Sequence, residues 1–261
     1  MSDTSRLDGQ VAVVVGAGHG GLGARAAAAL AGRGAHVVVT EHERESDNLR
    51  ATLANLPDGA LGLHCDVTRA DQVEATMDEV LTRLGRVDVL VSCAGTMLRR
   101  EFDLTTPDEF EHVLRVNTVG TWLVAGAAGK IMRDHRPDGA APGRIVTTST
   151  VYAERVGPIP EAAYYASKAG VLNVTRALAQ ELGPFGIRAN CLAPGVFYPT
   201  RMTSALEESP ERLDWFARRT MLGRNGDPDK DFTGPMLFLA TEESSFVTGQ
   251  VLYVDGGWSA W

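Results

Sequence analysis

The most constraining stretch is Val11-Ala12-Val13-Val14-Val15, five apolar residues cut off by Gly16-Ala17-Gly18-His19-Gly20-Gly21-Leu22-Gly23. A short continuous apolar run, unlike an alternating one, marks a strand covered on both faces, and such strands belong to parallel sheets flanked by helices. The Ala-rich stretch from Ala24 to about Arg33 reads as the first helix. A glycine-rich turn between strand and helix lets the backbone approach a pyrophosphate, and the helix N-terminus adds unpaired N–H groups and partial positive charge. Gly16, Gly18 and Gly21 match the spacing G-x-G-x-x-G, and the position between strand and helix gives the match its weight.

The same alternation repeats along the chain. His36–Thr40 reads as a second strand ending in Glu41, about where a ribose-binding carboxylate is expected. Alternatively, Glu41 joins Glu43, Glu45 and Asp47 at the start of the next helix, where acids suit the dipole. Ala60–His64 is a third strand, and Asp66 just beyond it is placed to cap a helix or to touch an adenine. Asp71–Leu84 has helical spacing, Val87–Val91 is a fourth strand, and Ser92-Cys93-Ala94-Gly95 turns away from it. Pro107 opens a long helix whose inner face holds Asn117, an amide that needs partners whether its role is structural or functional. Ile145–Thr148 is a fifth strand, with the hydroxyls of Ser149 and Thr150 at its carboxyl end; Ile187–Cys191 is a sixth, followed by Pro194-Gly195.

Residues 196–225 read as irregular to weakly helical and carry Phe197, Tyr198, Met202, Trp215, Phe216 and Met221. Such a connection suits a lid over an apolar ligand, or a surface packed against a second subunit. A helix over residues 228–240 and a strand Val251–Val254 close the pattern. The alternation predicts an α/β chain with one parallel sheet and helices on both faces. Without an interior linker or repeat, residues 1–261 read as a single domain.

One helix carries candidate chemistry. Tyr164 and Lys168 stand four apart, and Val171, Val174, Leu178 and Leu182 follow at helical spacing, so both side chains share one face. An ammonium beside a phenol favours the phenolate, and a tyrosine titrating near neutrality can exchange a proton with an alcohol or carbonyl oxygen. A solvated Tyr and Lys at this spacing would look the same in isolation.

Composition narrows the partners. A net charge of −8 with no basic block argues against nucleic acid and anionic membrane. An odd count of three cysteines (Cys65, Cys93 and Cys191), a polar Met1–Gly9 and no apolar run of spanning length predict reduced thiols in a cytoplasmic protein.

With the glycine turn, Asn117, Ser149-Thr150, Tyr164-x-x-x-Lys168 and Pro194-Gly195 in this order, the chain resembles the short-chain dehydrogenase/reductase family. The likeness runs from about Leu7 to the ending Val247-Thr248-Gly249-Gln250-Val251-Leu252-Tyr253-Val254-Asp255-Gly256-Gly257. The resemblance implies a doubly wound Rossmann sheet of about seven strands and hydride transfer between a nicotinamide and a small carbonyl or alcohol substrate. It makes Tyr164 the proton donor or acceptor. Lys168 would lower the tyrosine's pKa and bind the nicotinamide ribose. Thr150 stands in for a substrate-binding serine, and Asn117 would order a water relay. For the cofactor it implies Gly16, Gly18, Gly20, Gly21 and Leu22 at the pyrophosphate, Glu41 at the ribose, and Asp66 and Val67 at the adenine. Cys93, Ala94 and Gly95 are further cofactor-binding positions, and the Val196 backbone, after Pro194 and Gly195, would meet the carboxamide. No metal is implied.

The departures from the family pattern are Val15 for a threonine, a glycine turn one residue longer, Ser92-Cys93 for two asparagines, and Thr150 for serine. The extra residue leaves open which glycines meet phosphate, and Ser149 is an alternative to Thr150. Glu41, with His19 where NADP-preferring relatives carry a cation, predicts NAD over NADP; His42 and Arg44 just downstream argue the other way. The expected activity is interconversion of a secondary alcohol and a ketone by a cytoplasmic homotetramer, the tetramer also motivated by the apolar end Trp258–Trp261. Rival readings are a 3-oxoacyl-carrier reductase, against which Phe185 stands where such enzymes carry arginine, and a catalytically silent nucleotide-sensing protein.

Overall fold

The computed structural model describes residues 4–260; Met1–Asp3, part of the polar N-terminus, and Trp261 lie outside the described residues. Among those residues seven strands form one sheet, β1 Val11–Val15, β2 His36–Glu41, β3 Leu61–His64, β4 Val89–Ser92, β5 Arg144–Thr148, β6 Arg188–Pro194 and β7 Val251–Val254. Their order is β3-β2-β1-β4-β5-β6-β7, and every pair is parallel. The order reverses between β1 and β4, and an open sheet leaves a crevice at the carboxyl ends of its strands there.

β1 explains why its sequence is apolar throughout. Val11, Val13 and Val15 enter one core with Val73, Met77 and Val80 of α3 (Ala70–Leu84) and Val124 and Ala128 of α5 (Gly120–Asp134). Ala12 and Val14 enter a second core with Ala26, Ala27 and Leu30 of α1 (Leu22–Gly32) and Met236 and Leu239 of the helix Thr233–Ala240. Side chains alternate across a strand, so two covered faces require two apolar sets. α2 (Ser46–Leu53) packs beside α1's core through Leu49.

Most boundaries fall within two residues of those expected, with four informative differences. β6 runs on through Pro194, because Gly195 N–H still donates to Val254 O. The helix opened by Pro107, α4 (Pro107–Leu114), does not continue evenly into α5: residues Arg115–Val119 widen into a π-helical turn that contains Asn117. The stretch after β6 is more ordered than its composition predicts, with a 3₁₀ segment Arg201–Glu208 and a helix α7 (Pro210–Arg218). The last helix, α8, begins at Thr233, five residues later than predicted.

The C-terminal expectation also changes. Trp258 is 7% exposed, edge-on to Tyr152 at 5.2 Å and beneath the Arg219 guanidinium, so it is covered within the chain and needs no second subunit. Trp261, the other half of that argument, lies outside the described residues.

Candidate active site

A cleft of about 580 Å³ follows the carboxyl ends of the strands, from the glycine turn and Glu41 at one end to Tyr164 and Lys168 at the other. Its floor depends on Gly16, at φ +75°, where a Cβ would fall 2.4 Å from the Ala94 nitrogen. That contact brings the first turn against Cys93-Ala94-Gly95, so the two turns share one wall.

At the outer end Glu41 closes β2 with a 9% exposed side chain. Its Oε2 accepts from Gly18 N–H at 2.7 Å and its Oε1 from His42 N–H at 3.0 Å. One carboxylate oxygen therefore faces the glycine turn and the other the chain leading into the next helix. Asp66 lines the same end but caps no helix: Arg69 precedes α3, while Asp66 Oδ1 accepts from the Thr68 N–H and hydroxyl. Although burial opposes it, these bonds and the nearby His42 hold the Asp66 carboxyl below its usual range.

At the inner end α6 (Ala162–Leu182) buries both Tyr164 and Lys168. Lys168 Nζ donates to Thr148 O at 2.9 Å and stands 5.9 Å from the centre of the Tyr164 ring. Ser149 Oγ donates to the Lys168 carbonyl, whereas the Thr150 hydroxyl donates to Pro194 O at 3.4 Å and lies near enough to the Tyr164 phenol to favour its ionised form. The neighbouring Tyr165 turns away and donates to Ile159 O at 2.7 Å. Of the two hydroxyls after β5, Thr150 is thus the one beside the phenol.

The expected fall in the Tyr164 pKa is not found. Burial pushes this phenol above its ordinary value, with Glu161 adding to the shift and the nearby Thr150 hydroxyl opposing it. Lys168 is itself driven toward its neutral form by burial. Desolvation penalises the charged form of each group, and an ammonium bonded to a carbonyl rather than to the phenol does not offset that. Burial likewise keeps the Cys93 thiol protonated; its Sγ lies 3.4 Å from Thr148 Oγ1.

Asn117 does not line the cleft but supports its wall. Its Oδ1 accepts from Thr96 N–H at 2.8 Å, and its Nδ2 donates to Thr96 O and Ser167 Oγ. A Cβ on Gly95 would fall 3.3 Å from Asn117 Oδ1 and 3.4 Å from Lys168 Nζ, so amide and ammonium meet behind that glycine. A π-helical turn in a helix often marks such a site, and no apolar periodicity announces one.

Gly16, Gly18, Gly21, Leu22, Val67, Pro194 and Gly195 line the cleft as expected. Gly20 and Val196 are not among its walls. Val196 borders a separate cavity of about 270 Å³, and its carbonyl accepts from Gly226 N–H. Gly20, within the longer turn at φ +77°, uses its carbonyl to accept from Arg201 N–H at 3.1 Å and Arg25 Nη1 at 2.9 Å. The sequence reading also missed Glu45, Thr200 and Arg201, which line the outer end; no local pattern links β2 to a segment more than 150 residues away.

No helix among the described residues is long and apolar enough to cross a membrane, and the described cysteines are free thiols.

A sequence profile described as enoyl-(acyl carrier protein) reductase matches residues 16–259. The short-chain reductase protein NovJ of Streptomyces niveus is 36% identical over 95% of this chain and 93% of its own length. The (+)-borneol dehydrogenase 1 of Salvia officinalis is 34% identical over 98% of this chain and 96% of its own. Among solved structures, a gluconate 5-dehydrogenase from Burkholderia cenocepacia, in complex with NADP and tartrate, superposes with a TM-score of 0.88 at 34% identity, covering 99% and 98% of the two chains. On fold, ordered motifs and these relatives, the chain belongs to the short-chain dehydrogenase/reductase family of oxidoreductases.

Proposed function

We propose that this protein uses NAD(H) to interconvert a secondary alcohol and a ketone, with Tyr164 as the group that gives or takes the proton. The observation that carries the reading is the meeting of Tyr164, Thr150 and Lys168 at one end of a cleft whose other end is the glycine turn and Glu41. The family uses nicotinamide cofactors, and the residues present fit one. The cleft's volume lies within the range of cofactor sites. The Gly16–Ala94 approach seats the glycine turn directly against the Cys93-Ala94-Gly95 turn, and the wall behind Gly95 carries the Lys168 side chain. A bound nicotinamide would supply or accept the hydride.

The chain's own residues would do the rest. The Tyr164 phenol carries the proton a ketone oxygen would take up, and the Thr150 hydroxyl beside it would orient that oxygen. Lys168 and Asn117 would hold the wall at Gly95 and the ribose nearest the reacting carbon, with Asn117 fixing the Thr96 backbone. Residues 196–225 would act as a lid: Phe197, Thr200 and Met202 already border the cleft, while Trp215, half exposed, stacks edge-on with Phe216. We read residues 1–261 as one dinucleotide-binding and catalytic unit. A homotetramer remains our proposal, now resting on family likeness and on exposed Trp122 of α5, and light scattering at micromolar concentration tests it.

NAD rather than NADP follows from Glu41. A carboxylate facing Gly18 can accept from ribose hydroxyls, whereas a 2′-phosphate would set negative charge against it. At about 5 Å and an effective dielectric near 20, each unit-charge pair costs roughly 3 kcal/mol, about a hundredfold in affinity before solvent screening. The test is a panel of ketones and alcohols followed by NADH and NADPH absorbance. Turnover with a higher kcat/KM for NADH supports the reading; turnover with neither cofactor on any of the panel, or a preference for NADPH, contradicts it.

A further inference from the structure

Glu41 is not the only charge at the outer end of the cleft. Arg201 reaches it from the far side of the sequence, and its position is built rather than incidental. Thr200 opens the 3₁₀ segment with a reciprocal cap to Thr203, and the Arg201 N–H docks on the carbonyl of Gly20 in the glycine turn. From that anchor the guanidinium lies over Gly18, where a Cβ would fall 2.8 Å from its Nη1 and 2.6 Å from Glu41 Oε2. Nη1 donates to Glu45 Oε2 at 3.0 Å, and Nη2 stands 4.0 Å from Glu41 Oε2. Glu45 is itself held by Asn48 Nδ2 at 2.6 Å.

We propose that Arg201, carried on the segment after β6, is a second specificity determinant of the adenosine-ribose site and sets how far that site tolerates a 2′-phosphate. The proposal rests on the reading that Glu41 faces that ribose. Apart from His42, the three carboxylates of Glu41, Glu45 and Asp66 against the guanidiniums of Arg201 and Arg44 leave this end of the cleft with one net negative charge. Removing Arg201 would leave two, against a phosphate that carries up to two of its own. Neutralising Glu45 instead would balance the corner and release the planar N–H fork that suits a phosphate. A ribose with free hydroxyls carries no charge and feels neither change to the same degree. Because Arg201 is 44% exposed and Glu45 40%, solvent screening reduces these effects well below those of a buried site.

The two substitutions therefore push one ratio in opposite directions, a result that general loosening of the segment does not produce. The experiment measures dissociation constants of ADP-ribose and 2′-phospho-ADP-ribose by calorimetry for the parent, Arg201→Leu, Arg201→Lys and Glu45→Gln. The ratio of the phosphorylated to the unphosphorylated constant is expected to rise about tenfold or more in Arg201→Leu. It should fall several-fold in Glu45→Gln and stay within about threefold of the parent in Arg201→Lys. A ratio unmoved in Arg201→Leu, or moved in the same direction by Arg201→Leu and Glu45→Gln, overturns the proposal. If the parent binds neither ligand, the cofactor-site reading fails and this inference with it. Binding of both ligands with an unresponsive ratio sinks the inference alone.

Discussion

Gly16→Ala is the substitution whose cost the fold dictates most directly. Gly16 has φ +75°, a backbone conformation that costs an L-residue roughly 1–2 kcal/mol. The new Cβ would also lie 2.4 Å from the Ala94 nitrogen, 2.5 Å from its Cα and 2.8 Å from the Cys93 carbonyl carbon, all backbone atoms that no rotamer change can move. The β1 and β4 turns are tied in register by Cys93 N–H donating to Val15 O, so relief requires displacing one turn. Overpacking of this kind adds roughly 1–3 kcal/mol. A total of about 3 kcal/mol is a large share of a domain's 5–15 kcal/mol. It should lower Tm by about 6–12 °C for a chain of this length. Gly20→Ala is the internal control: φ is +77° but nothing lies within 4 Å of its Cβ, so only the conformational cost of roughly 1–2 kcal/mol should appear. Differential scanning fluorimetry on both variants reads the contrast. A Tm loss in Gly16→Ala no larger than that in Gly20→Ala would refute the argument that close approach of the two turns shapes the cleft floor.

Two further outcomes follow from the inner end of the cleft. Thr150→Val keeps shape but removes the hydroxyl beside Tyr164, so kcat/KM should fall roughly tenfold to a hundredfold; Ser149→Ala, which loses a bond to the Lys168 carbonyl, should lower Tm more than rate. Reversed effects would give the substrate role to Ser149. Burial raises the Tyr164 pKa, so the folded chain keeps this proton while the unfolded chain releases it near pH 10; this contribution to stability is full below that pH and is lost as pH rises beyond it. An ultraviolet difference titration of the cofactor-free parent against Tyr164→Phe should show no tyrosinate from this residue below about pH 10. Ionisation near neutrality would mean that Lys168 outweighs burial.

What was legible in the sequence was local. Five consecutive apolar residues before Gly16 state a strand covered on both faces, and the spacing of Tyr164 and Lys168 states a shared helical face. What escaped depended on contacts across the chain. Arg201 and Glu45 are 156 residues apart, and nothing in either neighbourhood points to the other. The longer glycine turn was visible, but not that its Gly20 carbonyl serves as a dock for Arg201. Asn117 sits on the expected face, yet the π-helical turn that aims its amide at Thr96 leaves no mark in apolar spacing. Trp258 looked like a surface awaiting a partner because its cover, Tyr152 and Arg219, comes from distant segments. For the Tyr164 pKa, spacing gives the neighbour's charge but not the burial that opposes it.

The account turns on Tyr164 as the proton-exchanging group, and the most direct measurement compares Tyr164→Phe with Tyr165→Phe in the same assay. NADH binding, followed by nicotinamide fluorescence, and NADH oxidation by the best ketone of the panel are measured for parent and both variants. The account predicts that Tyr164→Phe binds NADH while turnover falls by roughly a hundredfold to ten-thousandfold, with Tyr165→Phe close to the parent. Near-parent turnover in Tyr164→Phe, or a comparable loss in Tyr165→Phe alone, would contradict it.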